Sequence, residues 1–100
     1  RFGVPVFKNK KIIFIEEKPK IPQSPYAVTG FYLFDGDVFK VTSQIKPSAR
    51  NELEITDVVN FYLKNNLLKH ELVKGYWSDA GTFESLLEAS LWAAKKNPNV

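Results

Sequence analysis

Glu17 and Lys18 are adjacent residues of opposite charge that stand where an apolar segment ends. Glu16 precedes them, and Pro19 directs the backbone away from that segment. Strand ends in α/β sheets are places where ligands collect. A lysine there can neutralise a phosphate as a compact charge, and a glutamate can accept hydrogen bonds from sugar hydroxyls. The alternative for these residues is a solvated turn held by salt bridges.

Arg50 is a second candidate, in the segment 46–54 that leads into a predicted helix. A guanidinium suits bidentate recognition of phosphate, and a helix N-terminus adds N–H donors and a favourable dipole. Glu52 and Glu54 follow closely in the sequence. The alternative is therefore that Arg50 pairs with one of these carboxylates for structural reasons.

Asp79 is a lone carboxylate between an aromatic segment and the glycine turn at Gly81. Magnesium binds one or two protein carboxylates together with the phosphates of a substrate, so a single aspartate can supply part of such a site. The alternative is that Asp79, with Thr82, caps the following helix.

The length and composition are typical of one globular domain, and they exclude several classes of function. The chain has 100 residues, 44% hydrophobic and 25% charged, a formal net charge of +3 and no cysteine. Disulfide frameworks, thiolate metal sites and cysteine nucleophiles are excluded. The charge suits anionic ligands but is too low for a dense nucleic-acid-binding surface, and no apolar run reaches the roughly 20 residues that span a bilayer. Because it begins at Arg1 and contains no Met, we expect a fragment of a longer protein.

The first part of the chain predicts a hairpin followed by a loop and a buried strand. Residues 4–7 and 12–17 are apolar runs separated by a four-residue turn, and Pro5 places its strand at a sheet edge or bulge. The proline-rich stretch that follows predicts an extended surface loop. Residues 27–34 are apolar nearly throughout, which predicts a strand buried on both faces.

The second part alternates predicted helices with short predicted strands. These are a short helix capped by Asp35, a helix over 56–64, strands over 67–73 and 76–79, and a helix over 83–95 capped by Thr82. The architecture is therefore predicted to be mixed α/β, with a sheet that is at least partly antiparallel.

Five segments of the chain, taken in order, resemble a known family. They are FGVPVF, IEEKP, YAVTGFYLFD, KPSARNELEITD and GYWSDAGTFESLLEAS. Together they resemble the carboxyl-terminal half of glucose-1-phosphate thymidylyltransferases, which are sugar nucleotidyltransferases. The chain departs from that pattern at Pro5, at Asn51 where many members carry Gly, and at Ser78 and Ala80.

The resemblance implies a fold and a reaction. The fold is the C-terminal portion of a Rossmann-like nucleotide-diphospho-sugar transferase, a mixed sheet with flanking helices. Residues 1–100 would be the sugar-phosphate-binding part, without the amino-terminal nucleotide-binding half. In this family glucose 1-phosphate makes an in-line attack on the α-phosphorus of dTTP, and Mg²⁺ assists the reaction. The products are pyrophosphate and dTDP-glucose, which is a precursor in dTDP-rhamnose biosynthesis. We expect these 100 residues alone not to catalyse the reaction.

The resemblance also implies roles for a set of substrate-binding residues. Gly3 would let the backbone approach the sugar nucleotide, Glu17 would hold glucose hydroxyls, and Lys18 would neutralise the sugar phosphate. Val28 and Tyr32 would line the sugar side of the pocket.

Two further roles and the partners follow from the same resemblance. Arg50 would act with Lys18 as a catalytic cation near the reacting phosphates, and Asp79 would be one of two magnesium carboxylates. The implied partners are dTTP and glucose 1-phosphate, without nucleic acid or membrane, in a cytoplasmic homo-oligomer, commonly a tetramer. The alternatives are a relative that uses UTP, CTP or GTP, and a non-catalytic sugar-nucleotide-binding or assembly module.

Overall fold

The computed structural model describes residues 2–97, which form two strands and three helices. They are β1 (Gly3–Lys8), β2 (Lys11–Glu17), α1 (Val38–Gln44), α2 (Ile55–Lys64) and α3 (Phe83–Lys96). The chain divides into two compact units, Arg1–Lys69 and His70–Val100. The predicted α/β architecture with antiparallel pairing is confirmed.

The predicted hairpin is present as the antiparallel pair of β1 and β2. Lys8 pairs with Lys11, so the turn covers these two residues and the two between them. Asn9 and Lys10 have φ angles of 51° and 65°, the left-handed conformation that a tight hairpin turn requires at both central positions. The predicted four-residue turn is confirmed.

Pro5 lies opposite Ile15, at a position of the ladder where the backbone groups face away from the partner strand. Its carbonyl accepts a hydrogen bond from the Ser24 hydroxyl at 2.6 Å, outside the sheet. Pro5 has no N–H to donate, so this edge position costs the ladder no hydrogen bond. The edge placement predicted from the proline is confirmed.

The prediction of a buried strand over residues 27–34 is wrong, because this segment forms no regular strand. Phe31 and Leu33 are 79% and 87% exposed. Tyr32 and Phe34 face inward instead, with their rings stacked at 5.9 Å between centroids. A strand buried on both faces needs partner strands, and within residues 2–97 the two strands pair with each other.

α1 and α2 enclose a small core that includes Val41, Val58 and Tyr62. The predicted helices are confirmed, but the N-cap of α1 is Asp37 and not Asp35. Asp35 Oδ1 instead accepts hydrogen bonds from the Asp37 backbone N–H at 3.1 Å and from the Tyr62 hydroxyl at 2.8 Å. Asp35 therefore links the start of α1 to α2.

In the second unit, α3 begins at its predicted cap. The Thr82 hydroxyl accepts from the Ser85 backbone N–H, and the Ser85 hydroxyl accepts from the Thr82 N–H, which completes a capping box. The strands predicted over 67–73 and 76–79 are absent from the described residues, since short alternating runs without a partner strand stay irregular. None of the three helices that residues 2–97 form has the length and apolar character needed to cross a bilayer.

Candidate active site

Four of the predicted site residues lie together at the open end of the hairpin, and we call them the hairpin-end cluster: Gly3, Glu17, Lys18 and Val28. Gly3 pairs with Glu17 in the ladder. The Val28 N–H donates to the Gly3 carbonyl at 2.8 Å, and the Lys18 N–H donates to the Phe2 carbonyl at 3.1 Å. The ladder and these two hydrogen bonds therefore bring together residues up to 25 positions apart in sequence, from 3 to 28.

Gly3 occupies a site where a side chain does not fit easily. A Cβ there would lie 3.3 Å from Ile15 Cγ2, 3.5 Å from Thr56 Oγ1 and 3.7 Å from Val28 Cβ. The first of these contacts is tighter than ordinary van der Waals packing. The absence of a side chain at Gly3 thus lets β1 approach β2 and α2 closely.

Lys18 is exposed and has a φ angle of +45°, in the left-handed region that non-glycine residues rarely adopt. Pro19 follows it directly. Strained backbone of this kind is concentrated at functional sites. The left-handed conformation at Lys18 ends β2 and presents a solvent-accessible ammonium next to Glu17.

The Glu17 carboxylate is held by α2, because the Thr56 hydroxyl donates a hydrogen bond to Glu17 Oε2. Thr56 is only 7% exposed, and it lies in the first turn of α2. Glu17 also acts on Tyr32. Burial, followed by the charge of Glu17, raises the pKa of the Tyr32 hydroxyl, which therefore lies within electrostatic reach of the hairpin-end cluster.

A second polar contact joins α2 to β2 one turn further along the helix. Asn60 Oδ1 accepts from the Ile15 backbone N–H at 2.8 Å, and Asn60 Nδ2 donates to the Ile15 carbonyl at 2.7 Å. Sequence reasoning identified neither Thr56 nor Asn60. The available signal was their spacing, since two polar residues four apart share a helix face beside the apolar stripe.

Arg50 makes ion pairs with both neighbouring carboxylates, so the sequence alternative of pairing to Glu52 or Glu54 is realised with both. Its Nη2 lies 2.7 Å from Glu54 Oε1 and 3.1 Å from Glu52 Oε2, and its Nε donates to Glu54 Oε1 at 3.2 Å. The hydrogen bond with Glu54 is the main cause that raises the pKa of Arg50, and the charge of Glu17 adds to it.

Glu54 links Arg50 to the hairpin-end cluster electrostatically. Hydrogen bonds from Arg50 and from Ser48 lower the pKa of Glu54, and the charges of Arg50 and Lys18 lower it further. Asn51 has a φ angle of +59°. Asparagine and glycine are the residues that tolerate this conformation best, so Asn51 suits this turn.

Asp79 lies in the second unit, where it is exposed. The next residue, Ala80, has a φ angle of +44° and donates its N–H to the Ser78 hydroxyl at 3.3 Å. Thr82 caps α3, with Ser85 completing the box. Residues 2–97 contain no group of three or more His, Asp or Glu that could hold a metal. A single carboxylate such as Asp79 can supply only part of a magnesium site.

Within the first unit the arrangement combines positive charge with a hydrogen-bond acceptor at the hairpin end. It offers the exposed ammonium of Lys18 and the carboxylate of Glu17, which the Thr56 hydroxyl holds. The guanidinium of Arg50, whose pKa the hydrogen bond with Glu54 raises, is close enough for the charge of Glu17 to raise that pKa further. Arg50 contacts Glu52 and Glu54 through Nε and Nη2 and not through Nη1. Cations that flank a carboxylate suit an anionic ligand that also carries hydroxyl groups.

The chain is similar to proteins of known name. The chain is 46% identical over 93 residues to glucose-1-phosphate thymidylyltransferase of Neisseria meningitidis, which covers 90% of this chain and 32% of that protein. It is 47% identical over 92 residues to the Mycolicibacterium smegmatis protein of the same name, covering 89% and 32%. The chain thus spans about a third of the length of these curated relatives.

A solved structure extends the similarity to three dimensions. A Bacillus anthracis protein described as a glucose-1-phosphate thymidylyltransferase, in complex with a sucrose, matches with a TM-score of 0.82 and 56% identity. The match covers 93% of this chain and 38% of that chain. The resemblance found in the sequence and its fold class are confirmed. A model of the family described as nucleotidyl transferase matches residues 1–96, and the chain belongs to this family.

Proposed function

We propose that the protein carrying this chain transfers dTMP from dTTP to glucose 1-phosphate, giving dTDP-glucose and pyrophosphate. The observation that carries the proposal is the family match over residues 1–96, together with relatives of that name at 46% and 47% identity. The residue types at the hairpin end support the same substrate class.

In this reaction a phosphate oxygen of glucose 1-phosphate forms a bond to the α-phosphorus of dTTP, and the bond from that phosphorus to pyrophosphate breaks. Both reactants are anions, so alignment and charge neutralisation supply much of the rate enhancement. The Lys18 ammonium neutralises the sugar phosphate. Glu17, oriented by Thr56, accepts hydrogen bonds from glucose hydroxyls.

The remaining residues of the first unit complete the sugar site. Val28 and Tyr32 line the sugar side, and Gly3 lets the backbone approach the sugar nucleotide. Arg50 adds positive charge near the reacting phosphates. Because Glu52 and Glu54 engage its Nε and Nη2, the Nη1 group is the donor that reaches a phosphate.

Asp79 is proposed as one magnesium carboxylate. Magnesium, when bound, would neutralise phosphate charge during the transfer. The exposed Asp79 side chain can contribute one oxygen ligand, and the phosphates contribute others.

The test is a pyrophosphate-release assay on the full-length protein with glucose 1-phosphate and each of dTTP, UTP, CTP and GTP. We expect turnover with dTTP to exceed turnover with the other nucleotides. Preference for another nucleotide would replace the thymidylyl assignment by its UTP-, CTP- or GTP-dependent relative. No pyrophosphate release with any of them would favour a non-catalytic sugar-nucleotide-binding module.

The resemblance also supports a cytoplasmic homo-oligomer, commonly a tetramer in this family. Analytical ultracentrifugation of the full-length protein tests the assembly. A tetramer is expected, and a strictly monomeric species at micromolar concentration would contradict it.

A further inference from the structure

Two polar residues of α2 contact two residues of β2 with matching spacing. Thr56 contacts Glu17, and Asn60 contacts Ile15. Four residues advance a helix by about 6 Å, and two residues advance a strand by about 6.6 Å. Because the two distances agree, both contacts form at once and fix how far along β2 the helix lies.

The Asn60 contact is the stronger constraint on that position, because it uses two hydrogen bonds of 2.8 Å and 2.7 Å to a single residue. Ile15 is 4% exposed and lies opposite Pro5, so its N–H and C=O face α2 and not β1. A buried backbone group without a partner is costly. Asn60 therefore binds β2 at backbone groups that point away from β1.

We propose that Asn60 is a positioning residue for Glu17. By setting the register of α2 along β2, it holds the Thr56 hydroxyl against the Glu17 carboxylate and so directs that carboxylate at the hydroxyl groups of a hexose 1-phosphate. Asn60 does not touch the substrate. The inference rests on the proposed function and adds a residue that controls recognition of the sugar.

The test compares Asn60→Ala with Asn65→Ala in the full-length protein. Asn65 also lies at α2 and makes one side-chain hydrogen bond, from Nδ2 to the Phe61 carbonyl at 2.8 Å, but this bond stays on the helix. We expect Asn60→Ala to raise KM for glucose 1-phosphate about tenfold, with KM for dTTP unchanged, since a small displacement of a binding group weakens only the contact that it serves. Asn65→Ala should leave both values unchanged.

A merely structural role would not produce this split between the two substrates. Asn60→Ala combined with Thr56→Val should raise KM for glucose 1-phosphate by less than the product of the single effects, because both substitutions act through Glu17. The proposal would be overturned if the double variant raised KM for glucose 1-phosphate by the full product of the single effects. Equal changes in KM for glucose 1-phosphate and for dTTP would also overturn it.

Asn60→Asp provides a variant of the same size that keeps an acceptor for the Ile15 N–H and loses the donor. If Asn60→Ala does not fold, Asn60→Asp takes its place in the test, and we expect it to raise KM for glucose 1-phosphate. Failure of both variants to fold would overturn the proposal by making Asn60 a requirement of the fold. If the unmodified protein releases no pyrophosphate, the proposed function fails; if it does and Asn60→Ala matches Asn65→Ala, only this inference fails.

Discussion

Replacing Thr56 by valine isolates the hydrogen bond that holds Glu17. Valine has nearly the same shape and keeps the β-branch, so the 7% exposed site stays filled while the hydroxyl is lost. A hydrogen bond to a charged acceptor contributes about 1.5 to 3 kcal/mol. At about 1.4 kcal/mol for each factor of ten, the loss corresponds to about a 10-fold to 100-fold weaker hold on the carboxylate.

The assay is steady-state kinetics of the full-length protein with glucose 1-phosphate and with a deoxyglucose 1-phosphate. We expect Thr56→Val to raise KM for glucose 1-phosphate within that range and to reduce discrimination against the deoxy sugar, because Glu17 is no longer held towards the missing hydroxyl. Thr56→Ser keeps the donor and should stay close to the unmodified protein. Unchanged KM and discrimination in a folded Thr56→Val protein would refute the role of this hydrogen bond.

Three other outcomes are expected. Lys18→Ala should lower turnover by about 100-fold, because an electrostatic contact to the sugar phosphate is lost, and near-normal turnover would remove Lys18 from the mechanism. Asp79→Asn should shift the magnesium titration of activity to higher concentration; an unchanged titration would show the metal assignment to be wrong. Burial and the hydrogen bond to Asp35 raise the pKa of Tyr62 from 10.0 to about 12. Since the folded pKa is raised, the Tyr62 contribution to the free energy of unfolding is complete below pH 10.0 and is lost as pH rises towards about 12. Urea unfolding should therefore show a gap between the unmodified protein and Tyr62→Phe that narrows over that interval, and a constant gap would contradict it.

Local patterns were sufficient to predict the hairpin and the helices. The turn at Asn9 and Lys10, the cap at Thr82 and the edge position of Pro5 each depend on residues that are close in sequence or on the chemistry of one residue. Such features can be predicted from neighbouring residues, and the structure confirms them.

The strand predicted over 27–34 shows where local patterns fail. Its apolar residues predicted burial on both faces, but Tyr32 and Phe34 face inward whereas Phe31 and Leu33 are exposed. Apolar residues do not specify partner strands, and strand formation depends on those partners. The same limit applies to the short segments 67–73 and 76–79.

The candidate site stays a prediction, but its residues could be named from the sequence. The end of an apolar segment and the family resemblance both indicate Glu17 and Lys18, and the structure places these two beside Gly3 and Val28. Sequence reasoning did not predict the roles of Thr56 and Asn60, because their contacts join residues 39 and 45 positions apart in sequence. No local pattern records such a contact, since it exists only after α2 has packed along β2.

A crystal structure of the full-length protein with glucose 1-phosphate bound would show directly whether the hairpin-end cluster holds the sugar phosphate. We expect the phosphate within hydrogen-bond distance of the Lys18 ammonium and glucose hydroxyls on the Glu17 carboxylate. Glucose 1-phosphate bound away from both residues, with the hairpin-end cluster unaltered, would contradict it.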